Sequence, residues 1–250
     1  MYTEESMHLT SSKISQPIEV YAIEENKTFL AGKCWLRSNN KRYEIKIALV
    51  NCQTNLTSGV NIANEGLPSS PASKREKAKK ILNNFLNQML IKCDFVEADL
   101  PLQNDPKFKS GVSGSFIVNN LEIDPTDDMF NYCLGKINPL IGDLNVRCVI
   151  LFFNEPGHNA IGRSQGIGGA NGASIFRDGV QENTIAHEAL HSIGLYHSFD
   201  NNGEFTFEIY KVDNIMDYLK FQPDSKRKLT WYWQDKKVKS TSNNNKLKLV

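Results

Sequence analysis

The sequence predicts a mixed α/β fold of the α+β kind. It is a twisted mixed sheet with two long helices, followed by a smaller, irregular C-terminal part that ends in a helix. Three observations carry this reading. Alternating or continuous apolar segments recur through the first three-quarters of the chain, near 43–49, 95–100, 146–153 and 173–177. Two stretches between and after them, 73–92 and 181–193, carry helical patterns. Beyond Gly194 the chain thins to polar loops before a Lys- and Trp-rich stretch at 223–238.

Taken in order, residues 1–16 are polar and Ser/Thr-rich and are expected to form a flexible tail. Ile18, Val20 and Ala22 alternate, as do Tyr43, Ile45, Ile47 and Leu49, which gives strands separated by a turn at Ser38-Asn39-Asn40-Lys41. Gly59, Gly66, Pro68 and Pro71 mark a loop over 53–72. Ser73 is a candidate N-cap for a helix over 73–92, whose Ala78, Ile81, Leu82, Phe85, Leu86, Met89 and Leu90 form a core-facing stripe. Phe95–Leu100 is a candidate strand, 107–114 a polar loop, and 116–123 a second, irregular strand. Asp128–Ile137 fits a short helix ended by Pro139. Val146–Phe153 is nearly all apolar and fits a central strand buried on both faces. Six glycines crowd 154–172 without G-x-G-x-x-G or a Walker lysine, so a phosphate cradle is not supported. A strand at 173–177, a helix at 181–193, a strand at 205–210, a turn near Met216 and the terminal helix complete the chain. The last dozen residues are expected to fray.

Length and charge limit what such a chain does. It has 250 residues, with 29 Lys+Arg against 28 Asp+Glu, which suits one sizeable core and a monomer. A net charge of +1 supplies no footprint for nucleic acid or anionic membrane. No apolar run approaches the roughly 20 residues of a membrane helix. The N-terminus lacks the basic start and apolar segment of a secretory signal. The five cysteines, at 34, 52, 93, 133 and 148, include no C-x-x-C pair, which argues against a disulfide framework and against cysteine-type zinc. Their expected role is that of small buried hydrophobes.

The chemistry concentrates in His187-Glu188-Ala-Leu-His191-Ser-Ile-Gly194-Leu-Tyr-His197. His187 and His191, four apart on a helix, lie within about 40° of one face and one turn apart, so two imidazoles aim at a single ion. Were the helix to continue, His197 would stand about 15 Å above His187. Gly194 supplies the left-handed residue that turns the chain back. Three imidazoles and a water then make a tetrahedral zinc site with an open position. Glu188 points about 100° away from His187, off the ligand face but within reach of that water, whose proton it is suited to take and pass to a leaving amine. By composition, the odds of this eleven-residue pattern arising by chance are on the order of 10⁻⁵.

These residues resemble the zinc signature of the metzincin metallopeptidases, and the order of strands and helices before them is similar to the N-terminal subdomain of that family. The resemblance implies one catalytic Zn²⁺ on His187, His191 and His197, with Glu188 as general base. It also implies a methionine-containing turn at Asn214-Ile215-Met216-Asp217-Tyr218, with Met216 as the floor of the metal site. Tyr218 would stabilise the oxyanion, act as a switchable ligand, or simply pack. Residues 1–40 are an extension with no counterpart, and 41–250 form the catalytic domain, divided into 41–194 and 195–250. The sequence leaves the subfamily open between compact pappalysin-like and matrixin-like members. Cys34 is either a zinc-blocking thiol or an ordinary one, and His8 and His158 are surface histidines.

Together these readings point to a zinc endopeptidase acting on a protein or peptide. The peptide would lie along an edge strand at 172–177, with the glycine-rich loop as a rim. Export without a visible signal, as an effector or toxin handled by a secretion machine or cut from a parent polypeptide, is one expectation, and a cytoplasmic protein is the other. The rival from another class is a metzincin-like module that binds zinc and a partner without cutting it. Glu188 is the residue such a module would tend to lack.

Overall fold

A computed structural model describes residues 16–24, 27–36, 42–54, 56, 71–142, 145–167, 171–180, 182–202, 205–218, 229–240 and 247–249. Among the described residues, strands β1 (Gln16–Glu24) and β2 (Lys27–Leu36) pair only with each other, as an antiparallel ribbon. Then come β3 (Tyr43–Gln53), helix α1 (Pro71–Leu86), β4 (Ile91–Pro101), the short antiparallel pair β5 (Ile117–Val118) and β6 (Glu122–Ile123), and helix α2 (Asp127–Ile141). The chain continues through β7 (Cys148–Phe152), β8 (Gly162–Ser164), β9 (Gly172–Ile175) and helix α3 (Glu182–Ser192). It closes with helix α4 (Tyr232–Ser240) and β10 (Lys248–Leu249).

The main sheet runs β4-β3-β7-β9-β8. The first four strands are parallel and β8 is antiparallel at the edge. The alternation in β3 and β7 explains why both faces are covered. Ile45, Ile47, Leu49, Cys148, Ile150 and Phe152 pack in one core with residues of α1 and α3. Ala48, Val50, Cys52, Val149, Leu151 and Phe153 join a second core with Met129, Phe130, Cys133 and Ile137 of α2. Successive residues of a strand face opposite sides, so nearly continuous apolar strands require helices on both. The predicted class, a mixed α/β fold on a twisted mixed sheet, is the one observed.

Several boundaries differ from expectation, each for a physical reason. Helix α1 begins at Pro71, before the predicted Ser73 cap, because proline suits a first turn whose N–H groups lack partners. It ends at Leu86, followed by one 3₁₀ turn. Left-handed Leu90 (φ +56°) then starts β4 at once, so the predicted helix to 92 overran. Helix α2 passes through Pro139, which costs one hydrogen bond near the end, and stops instead at Gly142 (φ +61°). Phe205–Tyr210 is not a strand. It is tied down instead by scattered bonds, Phe207 N–H to the Ser198 carbonyl and Tyr210 N–H to the Asp217 carboxylate among them. The terminal helix begins at Tyr232, and the part of its predicted start at 223–228 lies outside the described residues. The expected frayed end includes a strand, because Lys248 and Leu249 pair with Glu44 and Tyr43.

The edge strand also moves. β9, predicted to border the cleft, lies between β7 and β8 and is buried, while β8, within the glycine-rich stretch, is the true edge. The cause is a short reversal. After Ser164 the chain turns and pairs back, so that Gly162 faces Ile175 and Ser164 faces Ala173. Among the described residues, no helix is long and apolar enough to cross a membrane.

Candidate metal centre

Helix α3 sits against the sheet through Ile185 and Leu190, with Ile193 just beyond its end, all in the core shared with α1. This fixes the opposite face, where His187 and His191 bring their Nε2 atoms 3.0 Å apart. The helix closes with a double hydrogen bond. Gly194 N–H donates to the His191 carbonyl and Leu195 N–H reaches back to the Leu190 carbonyl, each at 3.0 Å. Gly194 takes φ +111°, and Leu190 and Leu195 meet in the core. This is the six-to-one, five-to-two pattern of a Schellman cap. The reversal returns His197, whose Nε2 lies 3.1 Å from that of His191. Among the described residues these three histidines form the metal-ligand cluster, with one ligand atom from each within 4.8 Å of the others.

The other ring nitrogens explain the orientation. His187 Nδ1 bonds the Ile215 carbonyl at 2.9 Å, and His191 Nδ1 the Leu195 carbonyl at 2.7 Å. His197 Nδ1 bonds Asp200 Oδ2 at 3.0 Å, and the same oxygen accepts His197 N–H at 3.0 Å. Carbonyl and carboxylate oxygens only accept, so each Nδ1 donates, and each ring turns its Nε2 toward the other two. Burial first, and then the neighbouring His197, push His191 down to about 4, so it is neutral near pH 7. His191 Nε2 thus lies about 3 Å from the Nε2 of each of the other two rings, and one ligand atom from each ring lies within 4.8 Å of the others, a spacing that suits three donors around one cation. Nitrogens at about 2.0–2.1 Å from a tetrahedral ion are themselves about 3.3 Å apart, so the donor set fits zinc.

Glu188 lies beside this cluster, half-buried, and its Oε2 accepts the N–H of Ser164 at 2.7 Å. The register of β8 makes this contact meaningful. Phe176 N–H bonds the Ile161 carbonyl and Gln165 N–H the Gly172 carbonyl, so odd-numbered residues of this segment face β9. Gly162 and Ser164 therefore direct their main-chain groups outward, and Glu188 takes one of them. The absence of a side chain at 162 is required here. A Cβ there would stand 2.6 Å from Thr184 Cγ2 and 3.0 Å from Glu188 Cγ.

The turn at 214–217 touches the histidine segment through two main-chain carbonyls. Ile215 supplies the carbonyl for His187, and the Met216 carbonyl accepts Ser198 N–H at 3.1 Å. Met216 is fully buried in the α1–α3 core. Asn214 holds the turn to α4 by a reciprocal amide pair with Gln234, both bonds at 2.8 Å. Tyr218 is half-exposed, its ring edge-on to His197 at 4.7 Å between centroids and 5.9 Å from His187. Partial burial, with the Glu188 and Asp200 carboxylates adding, raises its hydroxyl above the usual tyrosine value, so it remains a donor at neutral pH. The three histidines, Glu188 and Tyr218 line a cleft of about 610 Å³ together with 159–164, Ile167, Thr184 and Tyr210.

Of the residues singled out from the sequence, His187, Glu188, His191, His197 and Tyr218 line the cleft, while Met216 is buried in the α1–α3 core next to Ile215, whose carbonyl meets His187. His158 lies apart, bonded to Glu122 and Asn159. His8 and the Cys34 side chain lie outside the described residues. The described cysteines, Cys52, Cys93, Cys133 and Cys148, are buried thiols outside any disulfide, as expected of small hydrophobes. Sequence reasoning missed Asp200, Asp217, Ser164 and Tyr210. Only Asp200, a carboxylate three residues after a ligand, carried a signal. The others act through backbone groups or loop geometry that no spacing reveals.

No protein-family model matches the chain, and no curated protein matches it. Among solved structures it is similar to one described as a chaperone–substrate complex, with TM-score 0.46, 12% identity, and 90% of this chain and 37% of that one covered. It is also similar to metalloproteinase-II from Bacteroides fragilis, with TM-score 0.43, 14% identity, and 81% and 51% covered. The chain thus spans about a third to a half of the length of these structures. At such values the likeness establishes neither a family nor an activity.

Proposed function

We infer that the chain is a zinc-dependent endopeptidase of the metzincin kind, with 41–194 and 195–250 as the two subdomains flanking its cleft. The observation that carries this reading is the convergence of three Nε2 atoms, each ring held by an acceptor at Nδ1, beside a glutamate outside the cluster. His187, His191 and His197 would hold the ion, and Met216 would form the floor beneath it. A zinc ion held there supplies Lewis acidity toward a water and a carbonyl oxygen.

The chain's own groups supply the rest. Glu188 takes a proton from the attacking water at its carboxylate and returns it to the amine nitrogen that leaves. Ser164 N–H holds that carboxylate in place from the edge strand. Tyr218, kept protonated, donates its hydroxyl to the oxygen on which charge develops. Gly162 N–H and C=O and the Ser164 carbonyl, all directed outward, pair with an extended peptide as an added strand, which places a peptide bond beside Glu188.

The test is metal removal and return. Stripped with a chelator, the protein should lose cleavage of an unstructured protein such as casein and regain it with one equivalent of zinc. Full activity without metal would reject the reading.

A further inference from the structure

Tyr210 has a conformation that packing alone does not explain. It is a bulky residue at φ +68°, in the left-handed region that aromatic side chains rarely adopt. Its ring is 36% exposed, so strain is not exchanged for deep burial. What holds it is Asp217, a carboxylate with no exposure, which accepts the N–H groups of Tyr210 at 3.0 Å, Val212 at 3.1 Å and Tyr218 at 2.7 Å. One buried carboxylate thus sets the backbone at both cleft tyrosines. The result is that Tyr210 lines the same cleft as the histidines, Glu188 and the edge strand. The lining near that strand mixes the apolar Ala160, Ile161 and Ile167 with Asn159, Arg163, Ser164 and Thr184, and Ile161, 50% exposed, offers an apolar surface in the same cleft as Tyr210. Backbone strain held in place by surrounding structure is concentrated at functional positions.

We propose that Tyr210 is a specificity-determining residue whose ring packs on one side chain of the bound peptide and selects apolar or aromatic residues there. Asp217 acts as its positioning residue. The peptide, paired with the outward edge of β8, projects alternate side chains away from the sheet plane, and one of these meets the wall carrying Tyr210. A polar or small side chain at that position leaves the ring's apolar face in water, whereas a large apolar one covers it. This inference rests on the peptidase reading above.

The probe is a peptide carrying a casein cut site of the zinc-loaded wild-type protein, with each flanking residue replaced singly by Phe, Leu, Ala and Asp. At one flanking position the wild type should prefer Phe or Leu over Ala by about tenfold or more in kcat/KM. Tyr210→Asn, which tolerates the left-handed backbone, should lose that preference by about tenfold. It should still cut the Ala peptide, and its Tm should shift by less than about 4 °C. Tyr210→Phe should keep the preference. An unchanged profile at every position in Tyr210→Asn overturns the proposal. So does an equal loss on all peptides with a large fall in Tm, which assigns Tyr210 to structure alone. A zinc-loaded wild type that cuts nothing defeats the peptidase reading itself, and this proposal with it.

Discussion

Asp200 offers the sharpest test of how the third ligand is held. One of its oxygens accepts both the backbone N–H and the Nδ1–H of His197, each at 3.0 Å. The other two histidines bond main-chain carbonyls, which mutation does not remove, whereas the Nδ1 partner of His197 is a replaceable side chain. The pair is partly open, with side-chain exposures of 17% for His197 and 29% for Asp200, so water can replace part of what is lost. Loss of such an outer partner typically weakens metal binding about 10–100-fold, or ~1.4–2.8 kcal/mol. Asp200→Ala should fall in that range. Asp200→Asn keeps an acceptor oxygen but not the charge, and should fall at or below its lower end. Competition with a chromogenic zinc chelator gives the affinities, and thermal melts of the metal-free proteins control for folding. Equal zinc affinity in wild type and Asp200→Ala would refute the argument. A large Tm loss without an affinity change would reassign Asp200 to the loop alone.

Three further outcomes follow from the same geometry. Gly194→Val, which forces a β-branched residue to φ near +111°, should lower zinc affinity or Tm more than any other single change between His191 and His197. Titration calorimetry and melting check it, and a silent variant would contradict the Schellman assignment. Tyr218→Phe should cut kcat by about 10²–10³-fold with KM nearly unchanged and zinc content intact, as steady-state kinetics on one peptide can show, whereas wild-type turnover would leave the ring a packing role only. Asp105 concerns the fold rather than the site. Burial alone would raise its carboxyl, but the Lys136 ammonium, the Lys107 N–H and the Tyr132 hydroxyl outweigh burial and hold it below the usual value. A depressed folded value means that its stabilisation is complete above the unfolded value of about 3.9 and is lost as pH falls through the folded value. Asp105→Asn should therefore cost about 1–2 kcal/mol at pH 7, since Lys136 is 42% exposed, and the gap from wild type should close below about pH 4 in denaturant titrations.

What was legible in the sequence was periodic or locally spaced. The alternation of Ile45, Ile47 and Leu49 and the apolar run of β7 predicted buried strands, because a two-residue period is set by strand geometry alone. The spacing of His187, His191, Gly194 and His197 predicted the ligand cluster, because helix pitch and one left-handed glycine determine where those rings go. What was not legible depended on distant partners. Nothing in Gly162-Arg163-Ser164 marks it as the edge strand until its pairing with Ala173–Ile175 is known. Pro139 misled because a proline near a helix end forfeits a single bond, and Gly142 is the stronger stop. The buried amide pair of Asn214 and Gln234 joins residues twenty apart with no shared pattern, yet it anchors the turn that touches the histidine segment.

The central claim is that this cleft holds one zinc ion and that Glu188 moves the proton during peptide hydrolysis. The most direct measurement pairs metal content with turnover in purified wild type and Glu188→Ala. Both should bind one zinc per chain, because the three histidines form the ligand cluster and the Glu188 carboxylate is held outside it by Ser164 N–H. Casein cleavage should fall at least 10²-fold in the variant, the usual worth of a general base. Equal cleavage by the two proteins, or a wild type that carries no metal and still cuts, would contradict the account.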